Sequence, residues 1–238
     1  MLKVLKNMIF ISVFALLISS CSNFTFLKGC PDAEIEWVDV LMINDIQYEH
    51  HYPEPANEIL PITIEKGKEL GKVTYKMADS ACSNHKMQNG DATYLKEGTI
   101  ISEIKGYPTS LIIAANDDVY VANTNKKAKT AGELYPMDKL VKNIYFESTE
   151  DGKRIHTFSQ SSKDSFLAAF YELKLEDVQS VDDVGKLEGT RIFLGIELNN
   201  GVSFRQLYWS DSNTFHNGAI GNDKIKEVIN YELSNLKE

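Results

Sequence analysis

Arginine is scarce in this chain. Only Arg154, Arg191 and Arg205 stand among 25 basic residues, against 34 acidic ones, for a formal charge of -9. A surface of that sign lacks the basic stripe that nucleic-acid phosphates demand, which argues against nucleic acid as a partner. It equally lacks a polybasic patch for anionic lipid. Long apolar runs are missing too: the longest, "MIFISVFALLI" (8–18), is broken by Ser12 and is too short for a bilayer, whose crossing takes about 20 residues. The glycines at 67, 71, 90, 98 and 106 never assemble a phosphate loop ahead of a helix. No cofactor signature is present. Carboxylate pairs such as Asp117 with Asp118 and Asp182 with Asp183 lie in turn-like stretches, where Asp is favoured for backbone reasons, so they are read as solvated loops rather than acid and base. Cysteine occurs three times, at 21, 30 and 82.

What is there begins with an address. Lys3 and Lys6 precede the apolar block, and Ile18, Ser19, Ser20 and Cys21 follow it directly. This order resembles the lipobox of bacterial lipoproteins, with residues 1–20 as the signal peptide and Cys21 as the lipidated residue. The resemblance implies a mature chain on the extracytoplasmic face of the cell membrane, held by acyl chains at about 0.8 kcal/mol per buried methylene. Loss of residues 1–20 removes Lys3 and Lys6, the charged residues of that stretch, and takes the formal charge from -9 to -11. Residues 21–30 then read as a tether.

Residues 31–124 read as a small all-β domain, barrel-like or sandwich-like. "EWVDVLMI" and "NDIQYEHHY" flank a turn at Asn44 and Asp45; "LGKVTYKM" sets Val73, Tyr75 and Met77 on one face; "TSLIIAANDDVYVANT" is a hairpin around residues 116–118. No long helical period interrupts them. The polar, lysine-rich stretch 125–136, closed by Pro136, suits an exposed linker.

Residues 137–238 change pattern. A hairpin on Asp151 and Gly152, of the type I′ that needs positive φ, leads to a helix with Ser162 or Asp164 as N-cap and Phe166, Leu167, Phe170 and Leu173 at helical spacing. The scheme recurs after the polar stretch 176–189: a hairpin at Asn200 and Gly201, then a capped helix with Ile225, Val228, Ile229 and Leu233 on one side. The fold class expected is therefore α+β, an N-terminal all-β domain followed by an antiparallel sheet built from two ββα units, with the helices on one sheet face.

Two stretches, "NGDATYLKEGTIISEIKGY" (89–107) and "IELNNGVSFRQLYWSDSNTF" (196–215), resemble signature segments of a family of uncharacterised secreted or lipid-anchored proteins of Bacillus-like Gram-positive bacteria. The likeness spans both halves in the same order. It implies address and architecture, and transfers no activity and no catalytic residues.

With Cys21 acylated, Cys30 and Cys82 remain as an even pair in an oxidising compartment. A disulfide between them would close a loop of about fifty residues, worth roughly 3 to 4 kcal/mol by chain entropy; unpaired thiols are the alternative. "DSACSNH" also gives Cys82 and His85 a Cys-x-x-His spacing that suits zinc or copper, with His50 and His51 upstream, although adjacent strand histidines point to opposite faces. The same pair admits a thiol nucleophile without an evident orienting partner. "LYWSDSNTFH" is the densest aromatic group of the second half, and Tyr208, Trp209 and Phe215 are the candidate partner-binding residues, with alternation sending Tyr208 and Trp209 to opposite faces. The expected function is a non-enzymatic, lipid-anchored envelope module that binds a protein or a cell-wall component. The alternative is an envelope metal-binding protein or thiol-dependent enzyme working through Cys82 and His85.

Overall fold

The structure, a computed structural model, describes residues 36–51 and 64–236 together with residues 30 and 62. The leader at 1–20 and the lipidation site Cys21 lie outside the described residues. The described residues of 36–81 and 86–236 form one compact unit; Cys30 and residues 82–85 belong to another, within which Cys30 and Cys82 are joined by a disulfide.

The larger unit is mixed α+β, mostly sheet. Its first sheet is open and curled, with eight strands: β1 (Val40–Ile43), β2 (Ile46–His50), β3 (Lys66–Lys72), β4 (Tyr75–Lys76), β5 (Asp91–Ala92), β6 (Ile100–Ile104), β7 (Ile112–Ala115) and β8 (Asp118–Asn125), in the order β3-β6-β7-β8-β2-β1-β5-β4. All pairings are antiparallel except β4 with β5. The turn between β1 and β2 has positive φ at both Asn44 and Asp45, as a tight hairpin requires. The stretch read as one strand through Met77 is broken: β3 stops at Lys72, and Met77 opens a one-turn helix, α1 (Met77–Ser80). β3, "KGKELGK", is an edge strand with little to bury, so it carries charge instead of alternation.

The second sheet has five antiparallel strands, β9 (Val141–Glu147), β10 (Arg154–Thr157), β11 (Arg191–Leu198), β12 (Ser203–Trp209) and β13 (Thr214–Phe215), in the order β10-β9-β11-β12-β13. Helices α3 (Gln160–Tyr171) and α5 (Asp223–Ser234) bury Phe166 and Phe170, and Ile225, Val228 and Ile229, against one of its faces. Between them in sequence lies α4 (Val178–Asp183), a short helix in the stretch read as polar, capped by Asp177.

Two local expectations are corrected. The N-cap of α3 is Ser159, three residues before the nearer candidate, because its hydroxyl accepts the Ser162 N–H at 3.2 Å while Glu232 of α5 takes the Ser159 N–H at 3.1 Å. The 151–152 turn has positive φ at Gly152 alone and closes as a longer loop, with Ser148 N–H on the Lys153 carbonyl.

The stretch 125–136 is not an exposed linker. Thr130 caps the one-turn helix α2 (Ala131–Leu134), and Ala131, Leu134 and Tyr135 are buried. They join a core cluster that also holds Ile112, Ala114, Val119 and Val121 of the first sheet and Leu194, Ile196 and Phe215 of the second. A boundary at this point would cut through a shared apolar interior. The β7–β8 hairpin explains the sharing: its alternate residues, Ile113, Ala115, Tyr120 and Ala122, face a second cluster inside the curl of the large sheet. It is buried on both sides at 112–115 and 119–122, and those two runs are correspondingly apolar.

Candidate functional site

Tyr208, Trp209 and Phe215 do not form a contact surface. Tyr208 and Phe215 are fully buried, with ring centroids 5.0 Å apart, in the core under α3; Trp209, on the opposite side of β12, is 9% exposed. Alternation separates the two neighbours as expected, but both sides of this strand end are covered, so aromatic density here marks packing.

The cysteine and histidine candidates also separate. Cys82 is bonded to Cys30, so its sulfur is neither thiolate nor nucleophile. Among the described residues no group of three or more His, Cys, Asp or Glu side chains could hold a metal ion. His50 lies 3.6 Å from Asp118 and 4.0 Å from Asp39, edge-on to Tyr120. Asp117 pairs instead with Lys66 at 2.8 Å.

What the topology does create is a cavity at a free strand edge. β11 pairs with β12 along its whole length, whereas β13 reaches only Tyr208 and Trp209 on the other side. Leu207 is then served by His216, whose backbone N–H donates to the Leu207 carbonyl at 3.0 Å and whose ring Nδ1 accepts the Leu207 N–H at 3.2 Å. Beyond it, no strand among the described residues pairs with residues 203–206 on that side. They line, with the end of β2 and the middle of β8, a cavity of about 320 Å³.

Its wall sets mostly uncharged polar side chains among a larger share of apolar surface. His216 is half-buried, and its desolvation holds its pKa down at about 4, only partly offset by the Leu207 bond. Since Nδ1 accepts, the ring proton sits on Nε2, a donor. Burial lowers the pKa of His51 as well, against the opposing effect of its hydrogen bond to Ser203; that bond runs to the Ser203 backbone, not its hydroxyl. Burial raises the pKa of Glu49, whose Oε2 accepts from the Asn123 amide at 3.0 Å. Phe204 stacks on the buried Tyr135 ring at 5.3 Å, and Tyr135 on Phe170 at 6.3 Å, which fixes an aromatic wall.

Gln206 is the informative residue. It is 1% exposed; its Oε1 accepts from Asn217 at 3.0 Å, and its Nε2 has no partner. The Tyr135 hydroxyl lies near the Gln206 and Asn217 amides, which offset part of the upward push of burial on its pKa, yet no contact of Gln206 Nε2 reaches hydrogen-bond geometry. A buried donor left open costs about 1–3 kcal/mol, and the residue that carries it lines the cavity.

The face of the second sheet away from the helices offers the opposite arrangement. All three arginines of the chain gather there. Arg154 lies 3.8 Å over the Tyr145 ring and reaches Glu197 at 3.0 Å; Lys142 and Asn143 bond the same carboxylate at 2.7 and 2.9 Å; Arg205 bonds Glu147 and lies over Phe193, as does Arg191. Gly195 makes room for Tyr145, since a Cβ there would stand 2.1 Å from the ring. Burial would raise the pKa of Glu197, but the bonds from Lys142 and Asn143 and the charge of Arg154 outweigh it and hold the carboxyl below its usual range.

The sequence flagged His51 and the strand around Tyr208, but not Gln206, Asn217 or Tyr135. Nothing local to a glutamine announces that its strand neighbour stops two residues away. Comparison of the chain with protein-family models, with curated proteins and with solved structures finds no match in any of the three.

Proposed function

We propose that this chain is a non-enzymatic binding module of the Gram-positive cell envelope, anchored by lipid at Cys21, and that it takes a small component of the cell wall into the cavity at the free edge of β12. One observation carries the reading: the buried, partnerless Nε2 of Gln206, a residue that lines this cavity. A ligand acceptor would complete that group, whereas core packing leaves it unsatisfied. The cavity volume lies at the lower end of small-molecule sites, which favours a compact ligand over a protein surface. The lipobox-like leader supplies the address. Two ββα units, β9-β10-α3 and β11-β12-α5, supply the frame, with the edge of the second unit left open for the ligand.

The reading is tested on the full-length protein with the low-mass fraction of an enzymatic digest of Gram-positive cell wall. Expected is a rise in melting temperature that saturates with added digest and is lost in Phe204→Leu. A melting temperature indifferent to the digest at all concentrations would remove this function.

A further inference from the structure

We infer that the ligand of this cavity is a neutral saccharide unit, whose hydroxyls meet the Gln206 amide, the His216 ring N–H and the Glu49 carboxyl, and whose C–H face lies on Phe204. The inference rests on the proposed ligand site and names what that site takes.

The chemistry of the wall excludes the other classes. An anion would need an uncommitted cation. Arg205, the one guanidinium among the lining residues, is already bonded to Glu147, and of the three histidines of the wall His216 serves Leu207, His51 serves Ser203, and His50 lies beside Asp118 and Asp39. A carboxylate or phosphate would shed its water there and meet Glu49 in the same wall. A cation would find Glu49, which already accepts from Asn123, and Glu147, which already accepts from Arg205, and would leave Gln206 Nε2 and the His216 N–H with nothing to accept their protons. An apolar ligand would leave both donors unpaired as well. A hydroxyl both donates and accepts, so a ring bearing several of them serves the two donors and Glu49 at once. Its apolar face matches the aromatic side of the cavity, where Phe204 is held by Tyr135 beneath it.

The test is calorimetric titration of the full-length protein with four defined probes: methyl glucoside and N-acetylglucosamine as neutral sugars, glucuronic acid and glucosamine as charged counterparts. Expected is saturable binding of at least one neutral sugar, with the charged counterparts at least tenfold weaker. Gln206→Glu keeps an acceptor for Asn217 but removes the open donor, and should weaken the neutral sugar at least tenfold. Phe204→Leu keeps apolar volume and removes the aromatic face, with a similar loss; if melting of the free variants shows that Gln206→Glu does not fold, Phe204→Leu carries the test. Equal or tighter binding of a charged counterpart, or unchanged affinity in the folded variants, overturns the inference. If no neutral sugar binds while the wall digest still raises the melting temperature, the saccharide class is wrong and the ligand site stands; if the digest also has no effect, both are gone.

Discussion

Arg205 and Gln206 are neighbours on β12, and their side chains end in opposite situations. Arg205 joins a face where buried carboxylates, Glu147 and Glu197, are held by guanidinium, ammonium and amide groups, and where aromatic rings lie under the cations. Gln206 lines a cavity, and its own amide donor has no partner. The first region is closed by its own charges and contributes to stability. The second carries an unmet hydrogen-bonding requirement, which is a cost to the free protein and a gain to whatever fills it. Polar side chains at similar depth thus serve different ends according to whether their partners are already present.

Four substitutions would break or sharpen this contrast. The largest effect is expected from Trp209→Ala, which removes a covered indole at the end of the closed face: about 3 kcal/mol or more of lost stability by urea unfolding. A near-neutral result would show that Trp209 is dispensable to packing and would reopen it as a contact residue. Next is Gly195→Ala, whose methyl group would drive into the Tyr145 ring and unseat Arg154 above it, at about 1–3 kcal/mol; wild-type stability would mean that the ring moves freely and the face is not closed.

The smallest effects are a pair of opposite sign. Glu197 has its pKa below the usual value in the folded state, so its contribution is present above the unfolded-state pKa and is lost as pH falls through the folded one. Glu49 has its pKa raised by burial, so its penalty appears as pH rises past the model-peptide range near 4.5 and is complete above the folded pKa. Glu197→Gln should therefore cost about 1 kcal/mol at neutral pH and flatten the acid side of the stability profile, whereas Glu49→Gln should be neutral to slightly stabilising at neutral pH, with the difference vanishing in acid. Chemical unfolding from pH 3 to 8 reads both; the same sign for both variants at neutral pH would erase the distinction between the two regions.

Glu232 shows how such a group escapes a sequence reading. It falls on the same helix face as Val228 and Ile229 of α5, a place that predicts solvent or error for a glutamate. In the fold it is buried, 2.6 Å from His156 Nε2 and bonded to the N–H and hydroxyl of Ser159. One carboxylate joins β10, the start of α3 and α5. The apolar stripe of α5 was legible because Ile225, Val228 and Ile229 recur at helical spacing; the polar tie was not, because its partners lie 73 and 76 residues away.

By itself the sequence determined the local grammar: the Asn44 and Asp45 turn, the apolar alternation of the hairpins, the amphipathic helices, and the acidic balance that disfavours polyanionic partners. These depend on backbone preference and on the spacing of apolar side chains along a few successive residues, which any window of the chain displays. Tertiary structure alone decided that residues 125–136 enter a core shared by both sheets, that Trp209 is covered, that three arginines separated by up to 51 positions meet on one face, and that β13 ends early enough to leave Gln206 beside a cavity. Each of these is a statement about which distant groups supply a partner, and the free energy of a buried polar or apolar side chain is set by that supply and not by the residues on either side of it.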